Sequence, residues 1–153
     1  MKHNHASLKK IKGMSLVYAK VTMCNPQELT RSFEDYFLID TGALFSFAPA
    51  DKLFAIGVEP SRKETFRQMD GNLIECEIGR VLLKVAGKEE VVPVVFGKPN
   101  DDSVIGALAL ESLALSLDPT TGTLHSVILL AVTDLLEFVN CVPKNKILLI
   151  QSP

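Results

Sequence analysis

From Ser15 to Cys24 apolar and polar positions partly alternate over β-forming residues, and Asn25 and Pro26 end the run, which predicts a first strand closed by a turn. Phe33 to Ile39 is a second extended run, and it ends on Asp40. Pro49 to Ile56 carries a proline near its start, apolar Leu53, Phe54 and Ile56, and Gly57 at its stop, the punctuation of a short helix. Residues 64–69 and Asn72 to Ile78 flank Asp70-Gly71, while Val81 to Val85 and Glu90 to Phe96 flank Ala86-Gly87. Both read as hairpins, with Gly79 as a candidate bulge. Ala107 to Leu115 has helix-forming composition, Leu115 to Asp118 alternates again, and Pro119 to Gly122 is a turn. Further on, the pattern predicts an amphipathic helix over Val132 to Val139 and an apolar strand over Lys146 to Ile150. Short strands separated by turns predict a mainly β domain, a small closed antiparallel barrel with one or two short helices.

With 153 residues, 47% of them hydrophobic, the chain is long enough for one domain with a sizeable core. Residues 1–13, with His3, Asn4 and His5 beside Lys2, read as a tag or leader; residues 14–124 read as the domain, and 125–153 as a C-terminal extension that serves an interface or caps the fold. The net charge of −2 comes from interspersed signs with no basic stripe, which argues against a nucleic-acid partner. Val127 to Val132 is soon followed by Asp134 and Glu137, too short a run for the roughly 20 residues of a membrane span. Cys24, Cys76 and Cys141 are too widely spaced for a disulfide framework or a paired-cysteine metal site, so they read as reduced thiols of a cytoplasmic protein. His125 is isolated, and no metal or organic cofactor is expected.

The chemistry gathers at Asp40-Thr41-Gly42-Ala43. An acid directly after the apolar run Phe37, Leu38 and Ile39 often caps the next turn, and the tripeptide alone is a weak signal. Its context is stronger: the glycine permits close backbone approach, and a separate Val104-Ile105-Gly106 precedes the second helix.

Taken jointly, Leu38-Ile39-Asp40-Thr41-Gly42-Ala43, a hairpin tipped at Asp70-Gly71, Val104-Ile105-Gly106 and the closing LESLALSLDPTTGTL of residues 110–124 resemble the retropepsin-like, single-domain aspartyl proteases, over about Leu16 to Leu124. The resemblance implies the closed barrel of that family and a peptidase active as a two-fold homodimer on a peptide or protein substrate. Asp40 of each subunit would be catalytic, one carboxylate taking a proton from water and the other donating one to the scissile carbonyl. Asp51, Asp70, Asp101, Asp102, Asp118 and Asp134 all lack the Thr/Ser-Gly context, so the second carboxylate is expected from a second subunit. By the same resemblance Thr41, Gly42 and Ala43 support the catalytic loop, Met69, Asp70, Gly71 and Asn72 form a flap, and Leu44, Val104, Ile105 and Gly106 act as scaffold and subsite wall. Leu44 stands where relatives carry a small hydroxyl residue that bonds the outer carboxylate oxygen. Ser46 replaces it only if the loop takes a different path. The alternative reading is a non-catalytic module on the same fold, used for dimerisation or peptide binding.

Overall fold

The computed structural model describes residues 8–10 and 16–128. Among these residues ten strands and two short helices follow one another as β1 (Leu8–Lys10), β2 (Val17–Asn25), β3 (Glu28–Ile39), β4 (Ser46–Pro49), α1 (Ala50–Ala55), β5 (Arg62–Arg67), β6 (Leu73–Val85), β7 (Lys88–Gly97), β8 (Val104–Ile105), α2 (Ala107–Ser112), β9 (Leu115–Asp118) and β10 (Thr123–Ser126). The two-residue period of the sequence is visible in β2, where Val17, Ala19, Val21 and Met23 are buried and Lys20 faces water. Val81, Leu83 and Val85 of β6 and Val92 and Val94 of β7 join them, with Phe37 and Ile39 of β3 and Ile105 of β8. Leu53 of α1 and Ala109 and Leu110 of α2 close the same core. Burying a side chain such as Phe37 is worth about 1.5–3 kcal/mol.

The strands make a mainly β fold in which the pairing returns on itself. β2 pairs with β3, β3 with β8, β8 with β4, β4 with β7, β7 with β6, and β6 again with β2 through Thr22↔Lys84, Met23↔Leu83 and Cys24↔Leu82. β1 and β5 lie outside this ring, on β2 and β6, and β9 and β10 form a separate hairpin. The expectation of a purely antiparallel sheet is corrected, because β3 and β8 are parallel, as are β4 and β7. The reason is topological: a late, two-residue strand enters between β3 and β4, which no hairpin connection can achieve.

Local readings shift for local reasons. β6 runs unbroken through Gly79, which stays in register with Val94 rather than forming a bulge. A Cβ there would lie 2.9 Å from the Phe96 ring and 3.0 Å from the Glu59 carbonyl oxygen, so the glycine answers close packing. β3 begins at Glu28 rather than Phe33, its outer half exposed and charged. The second helix ends at Ser112 instead of Leu115, because Ala114 adopts a left-handed φ of 50° and starts the turn into β9. Ala86 and Gly87, with φ of 52° and 75°, form the expected turn between β6 and β7. The helix expected over Val132 to Val139 and the strand over Lys146 to Ile150 lie outside the described residues. Among those residues no helix is long and apolar enough to cross a membrane.

Candidate active site

Alternation along β3 buries Phe37 and Ile39, half-buries Leu38 and leaves Asp40 exposed where the strand ends. The chain then turns through residues 40–45 before re-entering the sheet as β4. The loop is latched from behind by β8 and the start of α2. Leu38 N–H donates to the Ser103 carbonyl (2.8 Å) and Asp40 N–H to the Ile105 carbonyl (3.0 Å), while Ala107 and Leu108 N–H donate to the carbonyls of Ala43 (2.7 Å) and Leu44 (3.1 Å). Gly106 sits at the tightest point: a Cβ would stand 2.5 Å from the Phe45 carbonyl oxygen and 2.8 Å from that of Ala43. Its N–H donates to the hydroxyl of the buried Ser46 (3.1 Å). Ser46 therefore braces Gly106, and its hydroxyl is engaged there rather than beside the carboxylate.

The Asp40 Oδ1 accepts a hydrogen bond from the Gly42 N–H at 2.9 Å, and Ala43 N–H donates to the Asp40 carbonyl at 3.2 Å. A Cβ on Gly42 would come within 3.2 Å of that same Oδ1, so the absence of a side chain lets the amide approach the carboxylate. Thr41 is exposed, and Ala43 is half-buried beneath the loop.

Asp40 opens into a cleft of about 620 Å³. Gly42, Ala43 and Leu44 continue its floor, Phe45, Phe47 and Phe66 line it, and the hairpin of β5 and β6 brings Arg67, Gln68 and Met69 to it. Phe66 meets Phe45 edge-on, with ring centroids 5.6 Å apart, and lies 6.1 Å from Phe47, which ties the hairpin to the acid loop. The hairpin tip is itself ordered. Gln68 N–H donates to the Asn72 carbonyl (2.8 Å), Gly71 N–H to the Gln68 carbonyl (2.9 Å), and Gly71 adopts a φ of 88° that favours glycine. Asp70 accepts from the Asn72 N–H and side-chain amide at 2.9 and 2.8 Å.

The residues expected at the site thus divide by role. Asp40, Gly42, Ala43, Leu44 and Met69 border one cleft. Val104, Ile105 and Gly106 act behind it as loop support, and Asp70, Gly71 and Asn72 shape the turn without lining the cleft. Sequence reasoning missed Phe45, Phe47 and Phe66; Phe45 and Phe47, close behind the acid motif, were a signal to look for, whereas Phe66 lies on a later strand that nothing local ties to the motif. It also missed Arg67 and Gln68, because which hairpin residues reach the cleft depends on packing with a distant loop.

A larger hollow of about 810 Å³ lies elsewhere, bordered by Asn25, Arg31, Gly57 and Arg80 among others. Three of its polar side chains are spent on the local backbone: Asn25 bonds the Ile56 carbonyl, Arg31 that of Ala55 and Ser61 that of Ile78. The smaller cleft, with an exposed acid on an apolar floor, is the better chemical site. No group of three or more His, Cys, Asp or Glu side chains suited to a metal gathers among the described residues. Against known proteins, the chain matches no family model, and a search of the curated proteins gives no match either.

Proposed function

We propose that the chain is an aspartic endopeptidase of the retropepsin-like kind, with its ring of strands serving as that family's closed barrel and two subunits meeting about a two-fold axis. The observation that carries this reading is Asp40 itself: an exposed carboxylate at the rim of an apolar cleft, held by the Gly42 N–H on a loop latched by Ile105 and Ala107. One carboxylate cannot act as base and acid in the same step, and Asp40 is alone among the described acids in bordering this cleft. A second copy supplies the partner. The ionised Asp40 takes a proton from a water that attacks the scissile carbonyl carbon, and the protonated Asp40 of the other subunit donates to the carbonyl oxygen. The tetrahedral intermediate then collapses: the second carboxylate takes back a proton from one hydroxyl of the gem-diol, the C–N bond breaks, and the amine leaves with a proton returned from the first carboxylate. The hairpin of β5 and β6 closes over an extended peptide, whose apolar side chains pack on Phe45, Phe47 and Phe66. The free thiols Cys24 and Cys76 favour a reducing, cytoplasmic location.

A second reading, a non-catalytic dimerisation or peptide-binding module, is favoured by Leu44. That residue is 58% exposed and carries no hydroxyl for the carboxylate. Two measurements separate the readings. Sedimentation across a wide concentration range is expected to reveal a dimer at mildly acidic and neutral pH. Asp40→Asn is expected to abolish cleavage of apolar peptides while leaving the melting curve and the dimer in place, since the exposed side chain contributes under about 1 kcal/mol to folding. A chain that stays monomeric at every concentration, or a clean Asp40→Asn preparation that still cuts, overturns the peptidase assignment.

A further inference from the structure

Arg67 is, among the described residues, the one cation bordering the cleft that holds Asp40. Among the described residues it makes no ion pair, whereas its neighbours on the same hairpin do: Arg62 with Glu64 at 3.0 Å and Lys63 with Glu75 at 3.2 Å. Of the two acids nearest to it in sequence, each three residues away, Glu64 pairs with Arg62 and Asp70 turns both carboxylate oxygens to Asn72. Asp40 is engaged with the Gly42 N–H. The one hydrogen bond that the Arg67 side chain makes among the described residues is to the Gly71 carbonyl, at the outer limit of 3.5 Å. A guanidinium presents five N–H donors in a planar fork, so most of its capacity remains open. Phe66, the residue before it, is anchored on Phe45 and Phe47, which keeps Arg67 beside the acid loop.

We propose that Arg67 selects peptides bearing a carboxylate, bound next to the apolar side chains that fill the aromatic part of the cleft. The proposal rests on the peptidase reading for the claim that the occupant is a peptide. The physical reasons lie in the wall itself. The arginine fork matches a carboxylate bidentately, and the apolar lining weakens the competition from water. Six of the ten described residues around the cleft are apolar, namely Ala43, Leu44, Phe45, Phe47, Phe66 and Met69, and the exposed Arg67 adds to them a positive charge at the cleft's border that an apolar ligand would not use. Either an Asp or Glu side chain or a free peptide C-terminus offers the required group.

The test uses the full chain carrying Asp40→Asn, so that peptides bind without being cut. Fluorescein-labelled octapeptides with a central Leu-Phe pair carry Glu or Gln at each other position in turn, with a free or an amidated C-terminus, and binding is read by anisotropy. One Glu position, or the free terminus, is expected to bind about tenfold tighter than its neutral counterpart. The ratio is expected to fall below about twofold with Arg67→Gln, to persist in part with Arg67→Lys, and to fade as pH drops through the glutamate range near about 4.3. Which peptide carries the preference tells a side-chain carboxylate from a chain end. Absence of binding by every peptide, equal affinity for charged and neutral peptides, or a preference that survives Arg67→Gln overturns the proposal. Should Arg67→Gln fail to fold, the charged-to-neutral ratio of the Arg67 chain and its loss with acid decide alone. Failure of the peptidase reading is a separate result, in which the Asp40 chain cuts none of the peptides that the Asp40→Asn chain binds with this preference.

Discussion

At the Gly106 Cα there is no room for a methyl group. Its nearest neighbours would be the Phe45 carbonyl oxygen and carbon, at 2.5 and 2.7 Å, and both are backbone, which cannot rotate away. Gly106→Ala is therefore expected to lower stability by roughly 2–4 kcal/mol, read as a fall in the urea midpoint, and to displace the Asp40 loop with it. The need for glycine here was legible in sequence only as a glycine after an apolar pair; the reason for it lies with Phe45 and Ala43, far away in the chain. Asp35 offers a prediction of a different kind. The hydrogen bond from Lys52 is the largest influence on its carboxyl and holds it below the usual carboxylate range, assisted by the Tyr36 N–H and opposed by partial burial. A carboxyl whose folded form binds its proton more weakly than the unfolded chain stabilises above the unfolded value and loses that contribution as pH falls through the folded one. Both partners are about 40% exposed, at 41% for Lys52 and 39% for Asp35, so screening limits the effect to under about 1 kcal/mol. Asp35→Asn is expected to unfold at lower urea than the unaltered chain at pH 7, and the two midpoints are expected to converge as pH falls below the reference carboxylate value of about 3.9.

Among the elements, the hairpin of β5 and β6 shows best what sequence reveals and what it conceals. Asp70-Gly71 marked the turn correctly, because Asp70 folds back on Asn72 and Gly71 takes a left-handed conformation, both local acts. That β6 continues past Gly79 to Val85 was not legible, since the glycine is there for the Phe96 ring and the Glu59 carbonyl, contacts between elements. The same holds for β8, whose two residues are too few to show any period, and for the exposed outer half of β3. Helix positions were legible to within a few residues, and the misplaced end came from Ala114, a residue that nothing local marks for a left-handed φ. The hairpin's attachment to the acid loop rests on Phe66. Phe66→Ala is expected to cost about 1–2 kcal/mol through the lost aromatic contacts with Phe45 and Phe47. Its amide hydrogens near Gln68 and Met69 are expected to exchange faster, and unchanged exchange there would show that the tip is held by other means.

Seen as a whole molecule, the chain has one core inside a ring of six strands, and the ring rather than any single hairpin sets the position of the cleft. The hairpins turning at Asp70-Gly71 and Ala86-Gly87 were predictable; the contacts that complete the ring, β2 with β6 and β8 between β3 and β4, join segments far apart. Burial at these seams is thorough, with Met23, Leu83 and Ile105 fully inside. Such distant pairings must wait for loop closure, which slows folding relative to a chain of local contacts. The latch on the Asp40 loop carries that delay into the life of the protein. Ser46 and Gly106 bond across 60 residues. At translation speeds of roughly 5–20 residues per second, the ribosome releases the acid loop on the order of 3–12 s before the residues that brace it. A growing chain therefore carries Asp40 before the segment that braces its loop has been made, and the loop takes its final shape only late in synthesis.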